Sequence, residues 1–456
     1  MKNRLYLVLG AVLLAALGCV LAIAVAGGLL WKKELPQIVT FPNGDKYQFA
    51  GTAYSTTPVP PSLAARAVSL LPARLADRAR KRFAASLSQN RPGVKFSSPQ
   101  LIVWFRRVGT NAVPTSLGYN PSVMLADQAG VVAGQDGLAG YPTGTAWLFA
   151  AFSIVPRRSR ELECHFYRMS DRSLIGKVSF RNPLYGQFPQ WRPEPVPMVK
   201  RAEDLEVRLD RLETGYPPEF YGTSVSPLEK PEFRLGPERG NSLPGDRDSA
   251  FDISLRSSAG SNTWVLRDAE FSDATGNRLF DYDLLTQLLR TDWGSGYSKW
   301  IPGTLWPDEA AWRLKLELNR PAGLAAGDLV TFSNVPMLKA GTTRPLKRTA
   351  ALGPYQVVLE ETIVRSEYGG WYLKWCLELL NAPDDLAAEV VRAAADTGMQ
   401  LFVHQLTQPR PGSGNDSVEQ FALLFNVPTN AAAVDVTCAI QKKRTVEFLV
   451  KPPKPQ

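Results

Sequence analysis

Apolar and polar residues alternate one for one along most of this chain, and in one place they do not alternate at all. Residues 5–31, opening at Leu5 and closing at Trp31, form a run without charge, preceded by Lys2 and Arg4 and followed by Lys32 and Lys33. As a helix rising 1.5 Å per residue, this run measures about 40 Å, enough to cross a hydrocarbon core of about 30 Å with tilt. The apolar part of a cleaved signal peptide covers only about 7–15 residues and ends at a small-residue site. This run is longer and has no such site before a polar start, so the expectation is an uncleaved signal anchor. Gly18-Cys19 lies inside it, but Val20, Leu21, Ala22 and Ile23 follow where a lipidated cysteine would meet polar sequence, so Cys19 reads as a small apolar residue. The flanking basic residues balance, and the α-amino group tips the chain towards N-inside. Trp31 suits the interfacial position of an aromatic anchor.

Beyond the anchor a period of two dominates, which is the signature of half-buried strands. It predicts strands over 45–50, after the turn Asn43-Gly44, and over 161–167, 205–212, 312–318 and 371–379, while the apolar runs 101–105 and 147–155 read as buried strands. Clusters of Gly, Pro, Asn and Asp separate these runs. Residues 389–395 have a helical composition, yet they lead into Asp396-Thr397-Gly398, so a strand entering a hairpin is expected there. The exception is 62–87, whose spacing predicts a helix broken at Pro72. It carries Arg66, Arg74, Arg78, Arg80, Lys81 and Arg82 against the single acid Asp77. A basic amphipathic helix close to a membrane span can lie on an anionic bilayer surface. The competing reading is a helix that caps one end of a β-sandwich and turns its charges to water.

Proline-rich joints divide the chain. Trp191-Arg192-Pro193-Glu194-Pro195-Val196-Pro197 reads as a stiff extended linker, and 338–354 as a looser one. The division is an anchor over 1–35, a first β-rich domain over 36–198 with the helical insertion 62–87, a second over 199–340, and a third over 341–456 with a Pro-rich tail. The three regions share a faint pattern of an alternating strand, an aromatic strand and an Asp-containing turn, at 170–173, 273–277 and 396–398. Short strands at this spacing predict a mainly β chain: a transmembrane helix followed by about three tandem immunoglobulin-like β-sandwich modules. The likeness is one of architecture, because the Cys-Trp-Cys pattern of antibody domains is absent.

The anchor, the segments 264–271 (WVLRDAEF) and 311–320 (AWRLKLELNR), and the closing 444–450 (RTVEFLV) resemble uncharacterised bacterial single-span membrane-anchored envelope proteins with tandem immunoglobulin-like modules. That resemblance implies an inner-membrane, single-pass protein with its bulk in the periplasm. It implies no activity and no functional residues.

Composition changes the picture only at a few points. A net charge of +9 over 456 residues is modest; it suits an anionic lipid surface or an acidic polymer and is not a nucleic-acid signature. Outside the anchor remain Cys164, Cys376 and Cys438, an odd number that cannot all pair within one chain. Strand parity puts Cys164 and Cys438 on inward faces and Cys376 on the face of Lys374 and Glu378, so burial as small apolar groups is favoured over a Cys376–Cys438 disulfide. His165 and His404 lack the spacing of a metal site, and no metal or cofactor is expected. No nucleophile elbow and no phosphate-cradling loop occurs. Asp281-Tyr282-Asp283 places two carboxylates about 7 Å apart on one strand face, which is the basis of a rival reading as a glycan-cleaving envelope enzyme. The main functional lead is aromatic: Trp293, Tyr297, Trp300 and Trp306 lie among Gly, Ser and Pro over 291–306, where exposed rings would stack on sugars or anchor a protein interface. The sequence thus leads to a non-catalytic binding or assembly protein, with envelope proteins or glycans as partners.

Overall fold

The computed structural model describes residues 37–58, 96, 98–108, 121–133, 138–140, 147–168, 170–215, 247–257, 264–280, 286–320, 327, 329–336, 346–364, 372–409, 418–425 and 431–453. The anchor 5–31 and the basic segment 62–87 lie outside them. Among the described residues there is no α-helix, and no helix is long and apolar enough to cross a membrane. The chain is mainly β, and its strands assemble into five antiparallel sheets. Each alternating run named above is a strand, including Leu386–Ala395, which the helical composition of 389–395 would have disfavoured. Tertiary pairing overrides propensity there: Leu386–Ala395 lies against Ala433–Val450 over its whole length.

The first pair of sheets joins the order Ile38–Thr40, Lys46–Ser55, Gln100–Val108, Trp147–Phe152, Leu138–Gly140 to the order Val132–Ala133, Ser122–Asp127, Glu161–Tyr167, Leu174–Arg181. Leu101, Val103, Phe105, Leu148, Ala150 and Phe152 meet Val123, Leu125, Leu162, Cys164 and Phe166 in the core between them. At its border, the Gln37 carboxamide imitates a strand. Its Nε2 donates to Ser179 O at 2.7 Å, and its Oε1 accepts from Ser179 N at 2.7 Å, which closes an otherwise open edge.

The second pair packs the sheet of Met198–Ala202, Leu205–Gly215, Asp248–Ser257, Gly294–Ile301 and Thr286–Thr291 on Arg278–Phe280, Val265–Asp273, Trp312–Arg320 and the end of Ala433–Val450. The third packs Leu346–Leu352, Tyr355–Val364, Tyr372–Leu380, Val418–Phe425 and Phe402–Pro409 on Leu329–Pro336, Leu386–Ala395 and the start of Ala433–Val450.

Ala433–Val450 is thus common to two cores. Its 18 residues reach about 60 Å at 3.3 Å per residue. Val434, Val436 and Cys438 enter the third core, and Val446, Phe448 and Val450 enter the second. Residues 442–450, which a linear division assigns to the third region, pair with Trp312–Arg320 of the second. The segment 329–441 is therefore an insertion between two neighbouring strands of one sheet. Alternation alone does not show this: it lapses around Lys442, which is exposed on the otherwise inward row while Ala439 and Gln441 are buried on the other, and a lapse does not name the strand's new partner.

Candidate functional site

Several buried polar side chains among the described residues gather where one pair of sheets meets the next, and the first joint is built on the turn Asp273–Asn277. Asp273 Oδ1 accepts from Thr275 N (2.9 Å), Thr275 Oγ1 (2.7 Å) and Asn277 N (3.1 Å), a self-satisfied turn around Gly276 at φ 93°. The expectation that 273–277 is a plain hairpin turn is met, and the turn also docks. Asn277 Oδ1 accepts from Val155 N at 3.0 Å, and its Nδ2 donates to Val155 O at 2.8 Å and to Asp273 Oδ2 at 2.8 Å. The carboxamide completes both backbone groups of Val155, a fully buried residue that follows the first core, while the neighbouring Ile154 inserts into the second core.

Around this contact the joint is reinforced by charge. Arg158 Nε donates to Glu309 Oε1 and Oε2 at 3.0 and 3.1 Å, and its terminal nitrogens donate to Phe188 O (3.1 Å) and Pro189 O (2.6 Å). Burial raises the Glu309 carboxyl above its ordinary range, and the Arg158 hydrogen bonds partly offset this. Asn182 Nδ2 donates to Pro156 O and Ser159 O, fixing the 156–160 loop. Trp306 Nε1 donates to Asp127 Oδ2 at 3.1 Å, and Trp306 O accepts from Trp312 Nε1 at 3.0 Å, so one line of hydrogen bonds runs from the first sheet pair into the second core. The linker 191–197 is pinned as well: Glu194 N donates to Leu449 O at 2.7 Å, and Arg313 lies over the Trp191 ring at 5.5 Å.

The second joint lies where Ala433–Val450 passes between cores. Glu389 is 5% exposed and accepts from Arg267 (2.6 Å) and from Asn319 Nδ2. It stands on Leu386–Ala395 of the inserted segment, and its two partners stand on Val265–Asp273 and Trp312–Arg320. Burial raises its pKa against the pull of Arg267 and Asn319. Arg444, only 6% exposed on the inward row of the long strand, meets Glu203, Asp204 (3.6 Å) and Asp385 (3.5 Å) and stacks over Trp264 at 5.7 Å. Sequence reading missed both residues. A signal was present for Arg444: it is a charge on the row of the strand that carries Val446, Phe448 and Val450. Glu389 had none, since its partners lie 70 and 122 residues away.

The aromatic stretch 291–306 does not form one open platform. Tyr297 enters the second core and donates to Trp264 O at 2.9 Å; Trp300 and Trp306 are buried at 4% and 3% exposure. Gly-rich flanks suggested a solvent loop, but Gly294–Ile301 is a strand. Gly296 is required there, because a Cβ at this position would lie 2.2 Å from Ile253 O. Trp293 alone of the four is half-buried. Two guanidinium groups stack on its ring, Arg256 at 4.5 Å and Arg208 at 5.1 Å from the centroid, and Arg208 also bonds Asp210 and Asp292 (2.8 Å). Polar pairs continue along this outer sheet face: Ser254 Oγ donates to Asp210 at 2.6 Å, Ser298 Oγ to Asp252 at 2.6 Å, and Arg211 Nε to Asp252 at 2.7 Å.

His165 is buried, with Nε2 at 2.8 Å from Glu163 and Nδ1 at 3.4 Å from the Tyr167 hydroxyl. Burial lowers its pKa, so the imidazole is neutral near pH 7, while the His165 hydrogen bond holds Glu163 below the usual carboxylate range. Cys164, Cys376 and Cys438 are buried thiols; desolvation pushes Cys438 up to about 12 and raises Cys164. Trp375 and Leu377 face the third core, so Cys376 between them points to the other face of its sheet, away from Cys438. Asp281, Asp283 and the side chain of His404 lie outside what is described, as do Arg66, Arg74, Arg78, Arg80, Lys81 and Arg82. Among the described residues no group of three or more His, Cys, Asp or Glu could hold a metal ion. No protein-family model matches this chain, and no curated protein matches it.

Proposed function

We propose that this chain is a non-catalytic binding or assembly protein of the bacterial envelope, in which about three immunoglobulin-like β-sandwich modules are held in a fixed arrangement. The observation that carries this reading is where the buried polar groups act. Asn277, Trp306, Arg158–Glu309, Arg267–Glu389 and Arg444 each tie one sheet pair to the next. Carboxylates with raised pKa often mark acid–base catalysis. Here Glu309 and Glu389 are engaged by guanidinium groups across joints, a geometry that fixes modules. In this reading 5–31 is the inner-membrane anchor, the remainder is periplasmic, and the partners are envelope proteins or glycans. Of the four aromatic residues predicted over 291–306, Trp293, with Arg208 and Arg256, is the one closest to solvent.

Two measurements test the reading together. Protease added to spheroplasts is expected to degrade the chain down to the anchor, and protection until the membrane is lysed would overturn the localisation. Cross-linking in intact cells is expected to recover the same partners from wild type and from Glu309→Gln and Glu389→Gln, and fewer from Trp293→Ala. Full recovery from Trp293→Ala removes that residue from the contact.

A further inference from the structure

At the first joint, two arginines are held against exposed tyrosines instead of acids. The chain leaves the first core as Pro156-Arg157-Arg158-Ser159-Arg160, which places three guanidinium groups in four residues. Arg158 is bound by Glu309 and by the carbonyls of Phe188 and Pro189. Its neighbours are not matched in this way. The Arg157 guanidinium lies over the Tyr54 ring at 5.6 Å, and its Nη2 donates to the Tyr54 hydroxyl at 3.2 Å. Arg160 lies over the Tyr185 ring at 5.6 Å. Among the described residues neither Arg157 nor Arg160 makes an ion pair. Glu161, next to Arg160 in the chain, accepts instead from Gln128 at 3.3 Å. Each guanidinium has five N–H donors, and most of these are left without a protein acceptor. Both rings also face water, Tyr54 at 42% and Tyr185 at 48% exposure.

These groups stand on fixed backbone. Gly186 N donates to Arg157 O at 3.1 Å, which makes the two arginine–tyrosine pairs neighbours. Asn182 N donates to Arg160 O at 2.9 Å, and Asn182 Oδ1 accepts from Leu184 N at 2.9 Å. Leu184 packs against the first core and anchors the segment that presents Tyr185. Tyr54 lies near the end of Lys46–Ser55, opposite Leu101 of the same core. Open donors and open rings on an ordered backbone form a preorganised surface, because little side-chain or loop freedom is lost when a ligand binds.

The chemistry selects the ligand. Guanidinium forks fit carboxylates. Tyrosine rings offer apolar faces for stacking and a hydroxyl at the edge. The exposed carboxamides of Gln187 and Gln190 flank the surface and suit hydroxyl groups. A ligand that repeats sugar ring and carboxylate uses all three. We propose that Tyr54, Arg157, Arg160 and Tyr185 form a docking surface for an acidic polysaccharide, with its carboxylates on the guanidinium groups and its sugar rings on the tyrosines. The choice of a glycan rests on the envelope reading above. This surface is separate from Trp293, which stands beside the outer face of the second sheet pair. Arg157 also touches the joint turn, since a Cβ on Gly276 would lie 3.4 Å from its Nη1, so the polysaccharide meets the chain where two modules join.

The test titrates the purified full-length chain, in nanodiscs of zwitterionic phosphatidylcholine, with polygalacturonate. Dextran, polyglutamate and phosphatidylglycerol vesicles are titrated in parallel. Polygalacturonate is expected to bind more tightly than the other three and to weaken as salt rises. Arg157→Gln combined with Arg160→Gln should weaken it about tenfold, as two lost exposed ion pairs. Tyr185→Ala, which alters an exposed side chain and neither core, should weaken it about threefold. Lys177→Gln combined with Lys347→Gln removes the same charge elsewhere on the surface and should change binding by less than about twofold. The proposal is overturned by no binding of polygalacturonate, or by equal or tighter binding of dextran, polyglutamate or the vesicles. It is also overturned by an unchanged affinity in the arginine pair or in Tyr185→Ala, or by an equal loss in the lysine pair. The spheroplast assay reports on the envelope reading separately: a chain that is protease-accessible there but fails to bind here loses the polysaccharide alone.

Discussion

Asn277→Ala removes one carboxamide and should loosen the first joint more than any other single contact there. The side chain is 1% exposed and serves Val155 N, Val155 O and Asp273 Oδ2. Val155 is fully buried, so water cannot replace these bonds without opening the joint. Each orphaned buried backbone group costs about 1–3 kcal/mol, and two are orphaned, which gives about 2–6 kcal/mol. The chain has several cores and need not unfold in one step, so a global midpoint is the wrong readout. Amide hydrogen exchange at Val155 reports the local opening directly. At tenfold per 1.4 kcal/mol, the Val155 amide should exchange about 30-fold faster or more in Asn277→Ala, up to about 20,000-fold at the top of that range. Asn43→Ala is the control, because its exposed turn contacts Asp45 only, and its expected cost is within about 0.5 kcal/mol. If Val155 exchange changes by less than about threefold, which is about 0.7 kcal/mol by the same conversion and a third of the smallest expected effect, the joint does not depend on this carboxamide.

Other consequences follow from the same contacts. Arg267→Ala leaves Glu389 buried without its cation and should destabilise the second joint by about 3–5 kcal/mol, while the double variant with Glu389→Gln regains most of the loss in a double-mutant cycle by denaturant unfolding. The pKa of Glu389 in the fold lies above its ordinary 4.5, so its contribution is complete below that value and is lost as pH rises through the raised value; Glu389→Gln should flatten the loss of joint stability as pH rises above about 4.5, and an unchanged pH profile would refute the assignment. Gly296→Ala forces a Cβ onto Ile253 O and should cost about 3 kcal/mol or more, read by thermal unfolding. A stop after residue 441 removes Val446, Phe448 and Val450 from the second core at about 1.5–3 kcal/mol each, and should unfold that core while leaving the first folded, as read by limited proteolysis.

Period-two alternation carried most of the strands, because each has one face on a core and a different environment on the other. It also separated the inward cysteines from Cys376. What it could not carry was pairing between distant strands. In Ala433–Val450 the alternation lapses between Ala439 and Lys442 and the charged run Lys442-Lys443-Arg444 interrupts the apolar row, but neither names the distant strands that the two halves pair with. The aromatic stretch failed for a different reason. Gly, Ser and Pro around Trp300 and Trp306 resemble an exposed loop, yet the glycines there permit close strand packing and the indoles are buried. Asn277 was legible as a turn residue but not as a dock, since its partner Val155 lies 122 residues earlier.

The central claim is that the polar chemistry of this chain fixes the arrangement of its modules. Spin labels on the exposed Lys177 of the first sheet pair and the exposed Lys347 of the third, each placed on an introduced cysteine in the full-length chain in lipid nanodiscs, measure that arrangement by electron–electron dipolar coupling. A single narrow distance distribution is expected for the wild type, broadened by Asn277→Ala and by Arg267→Ala. A distribution already broad in the wild type, and unchanged by either substitution, would contradict the account.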